Sequence, residues 1–287
     1  MDRHNQAAAP AQWREPQERG FKVIRTTSLL LAWALAAGGV GPVAGAPQVV
    51  EEPAAPAEGF QSLAAGAHQH LVVVTEGPGE IQGLLFRMER GQEAGSAGLE
   101  DRWRQAGDPV PVVVGRSGVG PKWEGDGRSP QGVFPLGPAF GYAPQAPPGV
   151  HFPYEPMAPG AVCVDDPGSP FYNQVFDPEK LPEGAVQDWA SAEAMRRDLA
   201  YEDGLYRWGV MVRYNEPPAP GRGSCIFLHV WRGPDSPTAG CTAMEEGDLL
   251  SVLRWLDPAA NPILIQGDPA YLEELAQEGI LPYAVPG

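Results

Sequence analysis

Residues 229–244 read HVWRGPDSPTAGCTAM, and the order of residue types there predicts a strand, a turn-rich loop and a helix in succession. Upstream, Ser224–Trp231 (SCIFLHVW) is an apolar run of β-forming residues, so His229 falls near the end of a strand. From Arg232 to Gly240 the chain is crowded with Pro and Gly, which punctuate regular structure. Downstream, Leu249, Val252, Leu253 and Leu256 recur at i, i+3, i+4 and i+7, the spacing of a core-facing helix that stops before Pro258. Cys241 is thus expected just ahead of a helix N-terminus, with Thr242 and Glu245 forming an S/T-x-x-E capping box or Asp248 starting the helix later.

That placement predicts chemistry at sulfur. The unpaired N–H groups and positive dipole end of a helix stabilise a thiolate and lower a cysteine pKa. Gly240 permits a tight turn, leaves no side chain over the thiol, and lets the backbone N–H groups of Gly240 and Cys241 face a substrate oxyanion. His229 lies twelve residues upstream, a loop length that returns Cys241 to its reach as nucleophile to a general base. A buried cysteine is commonly a core residue, and a strand histidine commonly satisfies a local hydrogen bond. The conjunction of both with Gly240 and a helix start favours a catalytic pair.

Working outward, Leu71–Thr75, Gly83–Glu89 and Val110–Val114 are β-branched or apolar runs bounded by turn residues, and each reads as a strand. Lys122–Phe134 (KWEGDGRSPQGVF) reads as a turn-rich loop feeding a strand at Gly132–Leu136. The Pro-dense stretch from Gly137 to Pro159 suggests an extended covering segment, Ala161–Val164 a short strand, and 165–190 a loop. Ala192, Met195 and Leu199 line one face of a short helix capped by Ser191. Leu205–Tyr214 and Pro262–Gln266 read as further strands, and Asp268-Pro269 opens a last helix that ends at Gly279. The sum is a mainly β domain with a few helices over 68–287.

Ahead of it, residues 1–46 hold five basic side chains and the uncharged run Ser28–Val40 (SLLLAWALAAGGV), which reads as an export signal with small residues Ala44–Ala46 at a processing site, or as an uncleaved membrane anchor. Residues 47–67, rich in Ala, Pro and Glu, read as a flexible linker. The chain has 20 basic and 36 acidic residues, and the part after residue 46 keeps 15 and 33, a net charge near −18. Such a surface without any basic block excludes DNA and RNA as partners. Three cysteines, Cys163, Cys225 and Cys241, leave an odd thiol in an exported protein; a Cys163–Cys225 disulfide fits an oxidising compartment, though spacing alone does not dictate it. No C-x-x-C or H-E-x-x-H occurs, and His68 and His70 make at most a weak pair, so no metal is expected. Nothing in the sequence specifies an oligomeric state.

The segment 229–244 resembles the active-site motif of YkuD-type L,D-transpeptidases, in particular a divergent branch of that family. KWEGDGRSPQGVF at 122–134 resembles the family's Lys-x-x-Gly-Asp…Thr-Pro-x-Gly-x-Phe segment, and VCVDDPGSPFYN at 162–173 resembles a stretch typical of the same branch. The resemblance covers about 110–267. It implies a curved-sheet β-sandwich, an exported enzyme of the periplasm or cell envelope, and peptidoglycan stem peptides as substrate. It further implies a Cys241 thioester, His229 as base, an oxyanion site at Gly240 and Cys241, and no cofactor. The common motif reads Ser-His-Gly-Cys with an arginine two residues on; here Thr238, Ala239 and Ala243 take those places. The missing arginine passes recognition of a substrate carboxylate to Arg232 or Lys122, with Thr238 beside them, or else marks a different substrate.

Two other functions compete. One is a cell-wall cysteine peptidase, using this site with water in place of an amine or using Cys163 ahead of His229. The other is a non-catalytic envelope module that binds wall peptides in the same cleft.

Overall fold

The computed structural model describes residues 57–91, 102–181 and 188–287, all within one compact unit, Pro53–Gly287. The predicted signal or anchor over 1–46 lies outside the described residues, among which no helix is long and apolar enough to cross a membrane.

The chain opens with α1 (Ala57–Gly66), followed by β1 (Gln69–Thr75), β2 (Gln82–Arg90), β3 (Trp103–Gln105), β4 (Val110–Val113), β5 (Val119–Gly120), β6 (Ser129–Pro130) and β7 (Gly132–Gly141). Then come β8 (Tyr154–Pro156), β9 (Val162–Val164), β10 (Val175–Phe176), β11 (Ala192–Ala194), the single turn α2 (Arg197–Ala200), β12 (Trp208–Val212) and β13 (Phe227–Val230). Last are β14 (Thr242–Met244), α3 (Glu246–Trp255), β15 (Ile263–Gly267) and α4 (Pro269–Gln277).

One sheet dominates, with the strand order β1-β15-β7-β12-β13-β14-β4-β2-β3. It curls until β2 pairs with β1 from Gln69↔Glu89 to Thr75↔Gly83, so eight strands close into a ring while β3 and β8 hang outside it. The fold is therefore mainly β with a curved sheet, as expected, and the sheet closes on itself. Closure removes the exposed edges that an open sheet would present.

Strand alternation sorts side chains into three cores. Leu71, Val73, Leu85, Val112, Leu228 and Met244 face inward, joined by Leu249, Val252, Leu253 and Leu256 of α3. Each such side chain contributes roughly 1.5–3 kcal/mol on burial. Val72, Phe86, Val133 and Ile265 face outward beneath α4, which supplies Leu272 and Leu275. Phe140, Phe227, Cys241, Cys163 and Met195 form a third cluster, where a small sheet ordered β10-β9-β11 covers the outside of the ring.

Three expectations give way. The stretch 47–67, expected as linker, contains α1, whose Ala64 is buried in the outer core with Phe60 and Leu63 packed around it. The segment after Gly137 is not all covering loop: β7 runs on to Gly141 through Pro138, and β8 pairs beside it. Proline is tolerated within β7 because its carbonyl still accepts, as Pro135 does from the Arg213 N–H at 2.9 Å. The helix expected from Ser191 is instead β11 and the single turn α2, because β9 offers a ladder with Glu193 opposite Cys163. Met195 is fully buried there and Leu199 is exposed, so the helical spacing was fortuitous.

Candidate active site

β13 and β14 run parallel, with His229 opposite Ala243. Side chains of facing residues in a ladder share a side, and alternation returns to that side at Cys241, two residues before Ala243. His229 and Cys241 therefore occupy diagonal positions on the outer face, with Cα atoms about 8 Å apart by strand spacing and rise. All six residues singled out in the sequence, Lys122, His229, Arg232, Thr238, Gly240 and Cys241, line one cavity of about 410 Å³.

The His229 imidazole is buried beneath the edge of Tyr206, ring centroids 5.1 Å apart at 75°. Its Nδ1–H donates to the Val230 carbonyl at 2.8 Å, an assignment that follows from the partner being an acceptor only, and this leaves Nε2 as a bare acceptor. Burial pushes its pKa down to about 4, so the ring is neutral at pH 7.

Cys241 departs from expectation. It does not sit at a helix N-terminus, because β14 intervenes and α3 begins only at Glu246. Neither predicted cap forms: the Glu245 carboxylate accepts the Gly247 and Asp248 N–H groups, while the Thr242 hydroxyl bonds Gln266. Without a helix dipole, burial pushes the thiol up to about 12, and the charge of Glu193 adds to that shift. The thiol donates to the Cys225 carbonyl and accepts the Phe227 N–H, each at 3.4 Å, and makes no hydrogen bond to His229.

The turn ahead of Cys241 is held by hydroxyls. Thr238 Oγ1 donates to the Cys241 carbonyl at 2.6 Å and accepts the Gly240 N–H at 3.1 Å. The Gly240 N–H is thereby engaged, contrary to its expected place in an oxyanion site. Ser129 Oγ also donates to the Cys241 carbonyl, at 2.9 Å. Lys122 is buried, its Nζ donating to Asp126 Oδ1 at 3.2 Å and the Arg128 carbonyl at 2.9 Å, whereas Arg232 is half exposed and pairs with Asp203 at 3.0 Å.

The sequence reading missed a polar network behind the pair. Tyr206 donates to Glu193 Oε1 at 2.7 Å, and Arg197 bonds Glu193 at 3.1 Å and both Asp203 oxygens at 2.9 and 2.8 Å. Burial raises the proton affinity of Glu193, opposed by Tyr206 and Arg197. The helix expected over 191–200 concealed Glu193, whose only local signal is an acid in a weakly apolar segment.

Cys163 and Cys225 form a disulfide, leaving Cys241 the free cysteine. His70 is buried with Nδ1 2.6 Å from the Tyr283 hydroxyl and its ring 4.0 Å from Trp103, and no metal-binding group of three ligands occurs among the described residues.

Compared with known proteins, the family model described as YkuD, L,D-transpeptidase catalytic domain, matches residues 99–265. No curated protein matches the chain.

Proposed function

Because this chain belongs to the YkuD family of L,D-transpeptidase catalytic domains, whose activity is peptidoglycan modification, we propose that it is an exported cysteine acyltransferase acting on stem peptides through a Cys241 thioester. The observation that carries the proposal is the shared outer face and single cavity of Cys241 and His229, with His229 fixed as the tautomer whose Nε2 accepts a proton.

Both groups rest neutral, so this is a general-base pair rather than a preformed thiolate and imidazolium. The thiol leaves the Cys225 carbonyl by one rotamer step toward His229. As sulfur adds to the donor carbonyl, Nε2 takes its proton. The resulting oxyanion is met by the Cys241 N–H, on a residue whose own carbonyl, in the next peptide unit, is held by the Thr238 and Ser129 hydroxyls. Collapse expels the donor's leaving amine, which takes the proton from His229. An acceptor amine then attacks the thioester, His229 accepts its proton, and that proton returns to the departing sulfur. With Arg232 and Lys122 both in ion pairs, Arg232 is the more accessible for a substrate carboxylate, at 55% side-chain exposure against 3%. The uncharged run 28–40 supports delivery to the cell envelope.

Intact-mass spectrometry of the full chain incubated with tetrapeptide-stem muropeptides tests this. Wild type should gain an acyl adduct that Cys241→Ala abolishes and His229→Ala slows. Cross-linked products identify a transferase, and trimmed stems a hydrolase. Binding of stems without any adduct would replace catalysis with the peptide-binding module.

A further inference from the structure

Lys122 stands out as a buried charge whose surroundings are shaped around it. Its side chain is 3% exposed. Burying an ammonium is costly unless it is paired. Its partner Asp126 is shared, since Oδ1 also accepts the Arg128 N–H at 2.9 Å and Oδ2 the Trp123 N–H at 2.8 Å. The carboxylate's charge is thus spread over two backbone donors besides the lysine. Of the three ammonium N–H groups, two are accounted for by Asp126 and the Arg128 carbonyl.

Two glycines make room for this side chain. A Cβ at Gly223 would lie 2.8–3.1 Å from Lys122 Cε, Cδ and Cγ, and one at Gly240 would lie 2.8 Å from Nζ. The stem runs against Gly223 and delivers its charge to the backbone of the residue before Cys241. Gly240 therefore serves the lysine as well as the approach of substrate.

Charged groups reach the Cys241 cavity from several elements. Glu193, on β11, raises the sulfur's proton affinity. Tyr206 and His229, from the approach to β12 and from β13, are neutral at pH 7. Arg197, after β11, is held by Glu193 and Asp203, and Arg232, in the loop after β13, by Asp203. The cavity is also lined by Asp165, after β9, by Glu124, which accepts the Ser224 hydroxyl at 2.7 Å, and by Arg116, which donates to the Gly125 carbonyl at 3.0 Å. From the loop between β5 and β6, Lys122 acts on the sulfur in the opposite sense to Glu193.

We propose that the buried Lys122 ammonium is the electrostatic counterweight of the reacting centre, offsetting the negative charge that passes from the Cys241 sulfur to the attacked carbonyl oxygen. The proposal rests on Cys241 as nucleophile, and gives Lys122 a task other than holding a substrate carboxylate.

The test is the pH dependence of iodoacetamide alkylation of Cys241 in the full chain with its disulfide intact, read by mass and accompanied by a thermal melt. Below the thiol pKa the rate follows the thiolate fraction, so each unit of pKa is tenfold in rate. Lys122→Met should slow alkylation about tenfold or more at fixed pH. Asp126→Asn, which unmasks the ammonium, should speed it severalfold. A purely structural lysine would give no such opposition of sign. A folded Lys122→Met with unchanged alkylation overturns the proposal, as does an Asp126→Asn rate that is unchanged or lower. If Lys122→Met does not fold, Asp126→Asn decides alone. Alkylation requires no wall peptide, so a failure to form an acyl-enzyme would overturn the proposed function and leave this result standing.

Discussion

The Cys241 thiol lies 3.4 Å from the carbonyl oxygen of Cys225, a residue that is itself bonded through its sulfur to Cys163. The free thiol is therefore parked on the backbone of a disulfide cysteine. Cys225 adopts a left-handed backbone conformation, φ +57°, and its N–H donates to Asn173 Oδ1 at 2.9 Å. The disulfide ties the small outer sheet to this bend, and the bend holds the sulfur.

Removing that tie should destabilise the domain. The bridge spans a sequence separation of 62 residues. Loop-closure entropy for a span of that size is worth about 4 kcal/mol. A thermal melt of wild type with and without reductant, beside Cys163→Ser, should show matching large drops in Tm. An unchanged Tm on verified reduction would contradict the tie.

Acid should weaken the fold through its buried imidazoles. Burial lowers His70 to about 3 and His229 to about 4, from an ordinary 6.5. In the unfolded chain both take up protons as pH falls through 6.5, while the folded chain resists, so their contribution is complete above 6.5 and is lost as pH falls toward 3. His229 is worth on the order of 3 kcal/mol and His70 on the order of 5 kcal/mol. His70→Phe should lower stability at pH 7, yet flatten its decline between pH 6.5 and 4 in urea titrations. Parallel declines for variant and wild type would exclude this origin.

Arg197 should be worth far more than Arg232, although both contact Asp203. The Arg197 side chain is 14% exposed and bridges Asp203 and Glu193, whereas Arg232 is 55% exposed. Arg197→Met removes the cation from the partly buried Glu193 and leaves Asp203 only the half-exposed Arg232, and should cost about 3–5 kcal/mol. Arg232→Gln should cost under about 1 kcal/mol. Equal losses of Tm would show that burial does not set their worth.

Gly240→Ala places a Cβ 2.8 Å from Lys122 Nζ and 3.0 Å from the Arg128 carbonyl. The crowding should cost about 1–3 kcal/mol of stability. Because the displaced group is the ammonium beside Cys241, the rate of acyl-enzyme formation should fall at least about tenfold at a temperature where the variant remains folded. An unimpaired rate would mean the lysine can move without consequence.

The elements readable from residue order are those with strong local patterns. Leu249, Val252, Leu253 and Leu256 announced α3, Asp268 with Pro269 announced α4, and the β-branched runs announced β1, β2, β4 and β15. In each, side-chain periodicity records which face meets the core, so the pattern survives in one dimension. Around 191–200 the pattern misled, because pairing with β9 outweighed a fortuitous helical spacing in so short a segment.

Residue types and their spacing were enough to nominate Cys241 and His229, Gly240 before the thiol, and the family motif around them. They could not supply the environment that sets proton affinities. The thiol lies behind β14 rather than at a helix end, and its neighbours Glu193, Tyr206 and Lys122 arrive from segments 35 to 119 residues away. Charge, burial and hydrogen bonding act through space, and the distances that govern them are created when the ring of strands closes and the small sheet folds over its outer face.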